Sequence, residues 1–300
     1  MRVQVGRVEL PNPVIAASGT FGYGTEFDAL APVDEIGAIS VKGLSLRPYG
    51  GKPAPRLVET SAGMLNAIGL QNIGVEAFLA DRLPALRARG ARVIANFWGD
   101  TPEEFAECAA RLDGEPGIVA LELNAASPNR PEWGKVLAAD PDALAEIVRA
   151  VRTRVRLPLW VKLSPNVTDI VAVGRAACDA GADALCAINT LRGLAIDLDR
   201  GRPALASVTG GLSGPAIKPV ALAMVWHLAQ AVDVPVIGLG GIRCGVDALE
   251  FLACGAAAVQ VGTATFYDPR APIRVAHEMT DWCRRHGRQA VAEVIGLARR

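Results

Sequence analysis

Short apolar segments alternate with amphipathic segments along almost the whole chain. Eight apolar segments have the length of β-strands, and most are continuous runs, which is typical of strands buried on both faces. They span residues 13–18, 38–43, 92–98, 117–124, 158–164, 184–190, 235–241 and 258–264. Repeated strand and helix patterns predict an α/β fold, a closed (β/α)8 TIM barrel. An open doubly wound sheet is the alternative, although it usually has fewer strands and one ligand-binding switch point.

Cap residues mark the ends of the predicted helices. Helix starts are predicted at three capping sequences: Thr101-Pro-Glu-Glu104, Asp140-Pro141 and Asn166-Val-Thr-Asp169. Helix ends are predicted at three glycines that can adopt a left-handed cap conformation: Gly90, Gly181 and Gly255. These boundaries agree with the strand pattern.

Additional segments lie at both ends of the predicted barrel. Valine and leucine alternate over residues 3–10 around Gly6-Arg7, which predicts a hairpin that covers one end. Three long intervals follow strand C-termini, at 44–71, 125–139 and 191–214, and a further hairpin is predicted around Arg200-Gly201. Insertions confined to one rim suggest a covered pocket. Because no linker or composition shift interrupts the chain, we expect a single domain over residues 1–300.

Composition limits the classes of function. The 300 residues are 51% hydrophobic and carry 31 basic and 31 acidic side chains, so no charge excess favours nucleic acid or an anionic membrane. The six cysteines form no Cys-x-x-Cys pair, and the three histidines form no His-x-x-x-His pair. We therefore expect reduced thiols and no protein-bound metal. The N-terminus lacks a signal sequence, and no apolar run reaches about 18 residues, so we expect a soluble cytoplasmic protein.

Polar or glycine residues end nearly every predicted strand. They are Ser18, Lys42, Asn96, Asn124, Lys162, Asn189, Thr190, Gly240, Gly241, Gly262 and Thr263. Each of these residues alone can simply belong to the turn that ends its strand. In a barrel, however, all strand C-termini meet on one face, where they can contact one ligand. The sequence therefore predicts a shared binding site.

The fourth strand ends in an unusual loop. Asn124 is followed by Ser127 and Asn129, and prolines 128 and 131 restrict the backbone between them. A simple turn that stops the strand is one interpretation. The other is a site in which a hydroxyl and two amides are held at defined angles.

The residue types at the strand ends indicate the ligand chemistry. Lys42 and Lys162 close apolar strands, and such ammonium groups need a partner, which can be the solvent at the rim, a distant glutamate or an anionic ligand. Strands seven and eight close with Gly240-Gly241 and Gly262-Thr263, which is typical of a phosphate site. The asparagines, with Asn66 and Gly69 in the first insertion, suit a planar, amide-rich ring such as a pyrimidine.

Several motifs resemble the class 1 dihydroorotate dehydrogenases, in particular the type that works with an electron-transfer subunit. The resemblance covers essentially the whole chain. Its most specific pieces are Ala17-Ser-Gly-Thr-Phe-Gly22, Ser61-Ala-Gly-Met-Leu-Asn-Ala-Ile-Gly-Leu-Gln-Asn72, Asn189-Thr190, Gly210-Gly-Leu-Ser-Gly-Pro-Ala-Ile-Lys-Pro219, Gly238-Leu-Gly-Gly-Ile242 and Val261-Gly-Thr-Ala264.

The resemblance implies an FMN-containing barrel that oxidises dihydroorotate to orotate in pyrimidine synthesis. It places FMN against Ser18, Lys42, Gly43, Asn96, Asn124, Lys162, Ile188, Gly214, Gly240, Gly241, Gly262 and Thr263. It places the substrate against Lys42, Asn66, Ala67, Ile68, Gly69, Leu70, Asn124, Asn129, Asn189 and Thr190. It also implies an electron-transfer partner subunit carrying FAD and an iron–sulfur cluster, and assembly as a homodimer or heterotetramer.

The predicted base departs from the class 1 pattern. Class 1 enzymes use cysteine in a Ser-Cys-Pro-Asn motif, whereas this chain reads Ala126-Ser127-Pro128-Asn129. Serine at this position resembles the membrane-associated, quinone-reducing class 2 enzymes, whose N-terminal extension we do not expect in this protein. The hypothesis is that Ser127 acts as general base through a proton relay while a hydride goes to flavin N5. The electron acceptor stays open between NAD through the partner, fumarate and a quinone.

Three other functions remain compatible with the sequence. A related FMN barrel could act on dihydrouracil, and a flavin-free phosphate-binding barrel could be a lyase or isomerase. A flavin subunit that is inactive without its partner is the third.

Overall fold

The computed structural model describes residues 1–27, 29–126 and 137–299. Within these ranges the chain forms short strands with mainly parallel pairing and a set of surrounding helices. The strands are β1 (Val3–Val5), β2 (Val8–Leu10), β3 (Val14–Ala16), β4 (Ala38–Ser40), β5 (Leu57–Thr60), β6 (Gly63–Asn66), β7 (Val93–Phe97), β8 (Ile118–Leu123), β9 (Leu159–Lys162), β10 (Ala184–Ala187), β11 (Leu191–Leu194), β12 (Ile196–Asp197), β13 (Arg202–Pro203), β14 (Thr209–Ser213), β15 (Val236–Leu239) and β16 (Ala258–Val261).

The α-helices follow the barrel strands. They are α1 (Val75–Ala77), α2 (Leu83–Ala88), α3 (Pro102–Leu112), α4 (Pro141–Arg152), α5 (Ile170–Asp179), α6 (Lys218–Ala231), α7 (Gly245–Ala253) and α8 (Ala271–Arg285). A π-helical turn, Phe78–Arg82, joins α1 to α2. Turns of 3-10 helix occur at Thr25–Phe27, Val33–Glu35, Leu137–Ala139, Pro215–Ile217, Thr263–Phe266, Val291–Val294 and Leu297–Arg299.

Eight parallel strands close into a barrel in the order β3, β4, β7, β8, β9, β10, β15 and β16, with β16 pairing back to β3. The ring confirms the predicted (β/α)8 fold and excludes the open sheet. All eight predicted strands are present, but each is shorter than predicted because its last residues turn into the rim. Ser18, for example, lies two residues beyond β3.

Continuous burial explains why the barrel strands have no polar alternation. Every residue of β7 and β9 is buried, because one face packs in the barrel interior and the other against the helices. Trp160 and Phe97 are among the largest fully buried side chains. The apolar runs of the sequence therefore form the core that holds the strand ends in place.

Two of the three predicted helix starts are confirmed. Thr101 accepts a hydrogen bond from the Glu104 backbone N–H, and Asp140 caps α4 in the same way. The start predicted at Asn166 is wrong, because Asp169 is the N-cap of α5. Asn166 instead bonds to Ser164 and, through Thr190 O and Arg192 N, to the chain after β10. It thus connects two rim loops.

The three predicted helix ends are also confirmed. Gly90, Gly181 and Gly255 follow α2, α5 and α7 with φ angles of 69°, 107° and 112°, the conformation of a glycine C-terminal cap. The first repeat differs from the prediction of a helix after every strand. Between β3 and β4 the described residues contain 3-10 turns at Thr25–Phe27 and Val33–Glu35.

The predicted N-terminal hairpin is formed by β1 and β2, and it covers the N-terminal end of the barrel. Val5 and Leu10 are fully buried, and Arg7 donates a hydrogen bond to Arg156 O, close to the start of β9. The opposite, C-terminal end is therefore the open rim.

The insertions form an antiparallel sheet over this open rim. Its strand order is β11, β14, β6 and β5, so the first and third insertions pair with each other. The predicted hairpin of the third insertion is confirmed, since β12 pairs with β13 around Gly201. Most of the second insertion lies outside the described residues.

Candidate active site

A buried carboxylate lies in the barrel interior below the open rim. Glu122, in the middle of β8, is fully buried. Its Oε1 accepts hydrogen bonds from Ser40 Oγ at 2.9 Å and Asn96 Nδ2 at 2.5 Å. Its Oε2 accepts a hydrogen bond from Gln260 Nε2. Side chains from β4, β7 and β16 therefore converge on one carboxylate.

The surroundings of Glu122 favour its ionised form. Burial alone would raise the pKa of this carboxyl, but the Lys162 ammonium and the three hydrogen-bond donors outweigh burial and hold the pKa below its ordinary value. Lys162 Nζ lies 3.6 Å from Glu122 Oε1. The pair brings no net charge into the core.

Lys162 connects this buried network to the open rim. Its side chain is only 6% exposed, and its Nζ also donates a hydrogen bond to Ser18 Oγ at 3.1 Å. Both residues line a large cavity above the network. The sequence left three partners open for such a lysine: solvent at the rim, a distant glutamate or an anionic ligand. For Lys162 the structure shows the distant glutamate, Glu122.

The cavity has a volume of about 640 Å³, which is within the range of about 300–1,000 Å³ usual for cofactor and ligand sites. It brings together nearly all site residues predicted from the sequence. Those that line it are Ser18, Lys42, Gly43, Asn66, Ile68, Gly69, Leu70, Asn96, Asn124, Lys162, Ile188, Asn189, Thr190, Gly214, Gly240, Gly241, Gly262 and Thr263.

Of the predicted residues that the structure describes, Ala67 is the one outside this lining. Ala67 is buried and packs with Leu65 and Leu205, because its side chain points to the face opposite to that of Asn66 and Ile68, which line the cavity. Ser127 and Asn129 lie outside the described residues. Ala126, which precedes them, is fully buried.

Lys42 is the second lysine in the cavity lining. Burial, and then the nearby Arg56 guanidinium, lower the pKa of its ammonium. Within the described part of the chain, its Nζ has no hydrogen-bond or ion-pair partner. An anionic ligand in the cavity would supply the missing opposite charge.

Three asparagines form a row of amides along the cavity wall. Asn124 Nδ2 is 3.4 Å from Asn96 Oδ1, and Asn189 Nδ2 is 3.4 Å from Asn124 Oδ1. These long, weak contacts leave hydrogen-bonding capacity for a ligand. Asn66, on the covering sheet, donates to Gly211 O at 3.2 Å, so its amide is held by β14.

Glycine shapes the rim after β15. Gly241 has a φ of 81°, and a Cβ there would lie 2.7 Å from Lys218 Cβ and 2.9 Å from Gly214 O. Only glycine fits this backbone without strain. The next turn is tied by Asp247, whose Oδ2 accepts the backbone N–H groups of Arg243 and Cys244.

The buried polar network was not predicted from the sequence. Glu122, Gln260 and Ser40 were not predicted as site residues, although each interrupts a continuous apolar strand. A charged residue within a run such as Ile-Val-Ala-Leu-Glu-Leu is the signal that could have found Glu122, because an unpaired buried charge is strongly unfavourable.

The cysteines, the candidate metal ligands and the helix lengths complete the description of the structure. All six cysteines are free thiols, and burial raises the pKa of Cys108 to about 12. Within residues 1–27, 29–126 and 137–299, no three metal-binding side chains are grouped to hold an ion. None of the helices in these ranges is long and apolar enough to cross a membrane.

The cavity residues fit a flavin nucleotide. The glycine-shaped rim offers backbone groups for a phosphate, and the amide row offers donors and acceptors for a polar ring. Gln260 Oε1, in the cavity lining, is buried without a hydrogen-bond partner. Such an unsatisfied acceptor is unusual in a protein core and can be satisfied by a ligand N–H group.

Comparison with known proteins agrees with this geometry. The family model described as dihydroorotate dehydrogenase matches residues 1–282. A protein of Geobacter sp. (strain M21), named dihydroorotate dehydrogenase B (NAD(+)), catalytic subunit, is 55% identical over 296 residues, which cover 99% of this chain and 97% of the relative. Proteins of Geobacter sulfurreducens and Pelobacter propionicus with the same name are 55% and 54% identical over the same shares. The chain therefore belongs to the dihydroorotate dehydrogenase family.

Proposed function

We propose that this chain is a dihydroorotate dehydrogenase that uses FMN to oxidise dihydroorotate to orotate in pyrimidine synthesis. The observation that carries the proposal is the cavity itself. Two lysines, a row of amides and a glycine-shaped rim, which come from different barrel strands, line one volume of about 640 Å³. The family match and the names of the relatives support the same reaction.

The proposed cofactor site uses the strand-end residues. Gly214, Gly240, Gly241, Gly262 and Thr263 would hold the phosphate through backbone groups and one hydroxyl. Ser18, Gly43, Asn96, Asn124, Lys162 and Ile188 would hold the ring system. Bound FMN would supply the hydride acceptor that the amino acid side chains lack.

Lys42 and the amides would bind the substrate. Dihydroorotate carries a carboxylate, and the Lys42 ammonium has no partner within the described residues. Asn66, Ile68, Gly69 and Leu70 would close over the ring from the covering sheet, while Asn124, Asn129, Asn189 and Thr190 would bond its amide groups. Fixing the ring in one orientation lowers the entropic part of the barrier.

Ser127 would be the general base that removes the proton from the carbon next to the ring carbonyl. A serine hydroxyl is a much weaker acid than a cysteine thiol of pKa about 8.5. Its proton must therefore pass on through a relay. Lys162 would stabilise negative charge on the reduced cofactor.

The electron acceptor follows from the type of subunit. The relatives are named catalytic subunits of an NAD(+) enzyme. We infer that electrons leave this chain through an electron-transfer partner subunit to NAD, and that residues 1–300 form one catalytic domain.

The Lys42 site favours dihydroorotate over dihydrouracil. Dihydrouracil lacks the carboxylate, so its binding would leave the buried ammonium without a counter-charge. Anaerobic addition of each compound to the purified, yellow protein tests this choice. We expect dihydroorotate, and not dihydrouracil, to bleach the flavin absorbance. A protein without flavin absorbance, or one bleached only by dihydrouracil, would overturn the proposal.

A further inference from the structure

Glu122 of β8 and Lys162 of β9 form a buried ion pair between neighbouring barrel strands. Glu122 is fully buried, and it accepts hydrogen bonds from β4, β7 and β16 while facing Lys162 of β9. A buried ion pair of this kind seldom adds stability compared with apolar packing. Its retention in the barrel interior points to a functional use.

Lys162 faces two environments at once. On one side its Nζ lies 3.6 Å from Glu122 Oε1, and on the other it donates to Ser18 Oγ and lines the cavity. A lysine side chain of this kind has several rotatable bonds. The Glu122 carboxylate and the Ser18 hydroxyl together therefore determine the position of the Lys162 ammonium.

Glu122 supplies the negative charge nearest to Lys162 among the described residues. From β10, Cys186 also faces this pair, but burial first, and then the Glu122 charge, raise the pKa of its thiol well above the ordinary value, so the thiol is neutral. Ser40, Asn96 and Gln260 are uncharged. Lys42 is a second cation in the lining of the same cavity.

We propose that Glu122 is a positioning residue that keeps Lys162 a permanent ammonium directed at the cavity, so that cofactor reduction adds no proton to Lys162. This inference rests on the proposed FMN site. Hydride transfer brings two electrons and one proton to the cofactor, which therefore gains one negative charge. The Lys162 ammonium, which is present before reduction, balances this charge. Without Glu122, the ammonium in the oxidised protein would lack a counter-charge and would release its proton to solvent more readily.

The variant E122Q isolates the charge of Glu122. Glutamine keeps an oxygen that accepts from Ser40 and Asn96. Its new amide N–H group can donate to Gln260 Oε1 once the Gln260 amide turns over, and the Gln260 N–H group then takes the place that Oε1 has in the parent. Shape and hydrogen bonding are thus largely retained while the counter-charge is lost.

The first test measures the proton uptake on reduction of FMN bound to the parent protein and to E122Q. The pH dependence of the midpoint potential between about pH 6 and pH 9 reports protons taken up per two electrons. We expect one proton in the parent across this window. In E122Q we expect the value to rise towards two in the upper part of the window, because Lys162 then regains its proton on reduction. Equal proton uptake in both proteins would overturn the inference.

S40A is the matched control, because it removes one hydrogen bond to Glu122 and leaves both charges in place. It should show the proton uptake of the parent. A shift in S40A as large as that in E122Q would show that packing, and not the counter-charge, controls Lys162.

A second measurement is made on the parent protein, so it does not depend on whether a Glu122 variant folds. The chain has five lysines, so carbon-13 labelling next to each amine yields few signals, and K162R identifies the one from Lys162. In the FMN-loaded parent this signal should report the same protonation state of Lys162 before and after reduction of the cofactor. A Lys162 signal that changes protonation state on reduction would refute the inference.

The outcomes separate the inference from the proposed function. A protein that binds no FMN, or is not reduced by dihydroorotate, contradicts the proposed function. A protein that is reduced normally but shows unchanged proton uptake in E122Q contradicts only the role of Glu122.

Discussion

Lys218 Nζ lies 2.6 Å from Asp247 Oδ1, and this contact joins α6 to the N-terminal end of α7. Asp247 is 5% exposed, and its other oxygen accepts the backbone N–H groups of Arg243 and Cys244. The rim after Gly240 and Gly241, which we assign to the cofactor phosphate, is thus held by one carboxylate.

D247N should lower the free energy of unfolding by about 1–3 kcal/mol, because buried donors lose a charged acceptor. It should also weaken FMN binding by about tenfold, the equivalent of 1.4 kcal/mol. Urea unfolding and FMN fluorescence titration measure the two effects. E250Q removes the other carboxylate that contacts Lys218 but leaves the Arg243 and Cys244 amides paired, so it should change stability by less than about 0.5 kcal/mol. Equal losses in both variants would contradict the role of Asp247.

Asp247 should also make the free energy of unfolding depend on pH in the acidic range. Burial alone would raise its pKa, but Lys218, the Arg243 backbone N–H and the Cys244 side chain hold the pKa below its ordinary value. A carboxyl with a depressed folded-state pKa stabilises the fold above the unfolded value of about 3.9 and loses this contribution as pH falls through the folded value. Urea midpoints measured on either side of this window should therefore fall more steeply in the parent than in D247N. Parallel curves would argue against the effect.

Lys42 should set an alkaline limit for orotate binding. Burial and Arg56 lower the pKa of this lysine, so its charge is lost at a lower pH than that of an exposed lysine. Orotate affinity should fall above that pH, and binding there should take up a proton, because the bound anion favours the ammonium. Calorimetry in buffers of different ionisation enthalpy measures this uptake.

Two variants test the Lys42 assignment. K42M should bind orotate about 10–100-fold more weakly, as expected for a lost charge-assisted hydrogen bond of about 1.5–3 kcal/mol, and should lose the alkaline limit. R56Q removes one of the two causes of the lowered pKa and should move the limit to higher pH. An unchanged limit in K42M would assign the titration to another group.

S127A should bind FMN as the parent does but should be reduced by dihydroorotate about 10²–10⁴-fold more slowly, the usual value of a positioned base. Anaerobic stopped-flow absorbance measures the reduction. S127C is the informative companion, because a thiol of ordinary pKa about 8.5 should add a rise in rate with pH that serine lacks. Equal reduction rates in S127A and the parent would remove Ser127 from the mechanism.

G241A should destabilise the rim and weaken FMN binding. The residue has a φ of 81°, and the added Cβ would meet Lys218 Cβ at 2.7 Å, so we expect a loss of about 1–3 kcal/mol in stability. G50A is the control, because no atom lies within 4 Å of a Cβ there. Thermal unfolding with and without FMN compares the two. An FMN affinity in G241A equal to that of the parent would contradict the assignment of this rim.

Local sequence patterns predicted the elements because the responsible forces act within a few residues. The Thr101 and Asp140 caps and the glycines at 90, 181 and 255 satisfy helix ends through neighbouring backbone groups. The prediction at Asn166 failed for the opposite reason. Its side chain bonds Thr190 O and Arg192 N, more than 20 residues away, and this pairing cannot be read from local propensity.

The sequence by itself determined the barrel, its open rim and the strand-end residues that line the cavity. Continuous apolar strands must be buried on both faces, and parallel strands carry their C-terminal residues to one end. Only the tertiary structure decided which groups meet inside. Glu122 bonds Gln260 across 138 residues of sequence and faces Lys162, because closure of the ring, and not proximity along the chain, places their side chains in the same interior layer.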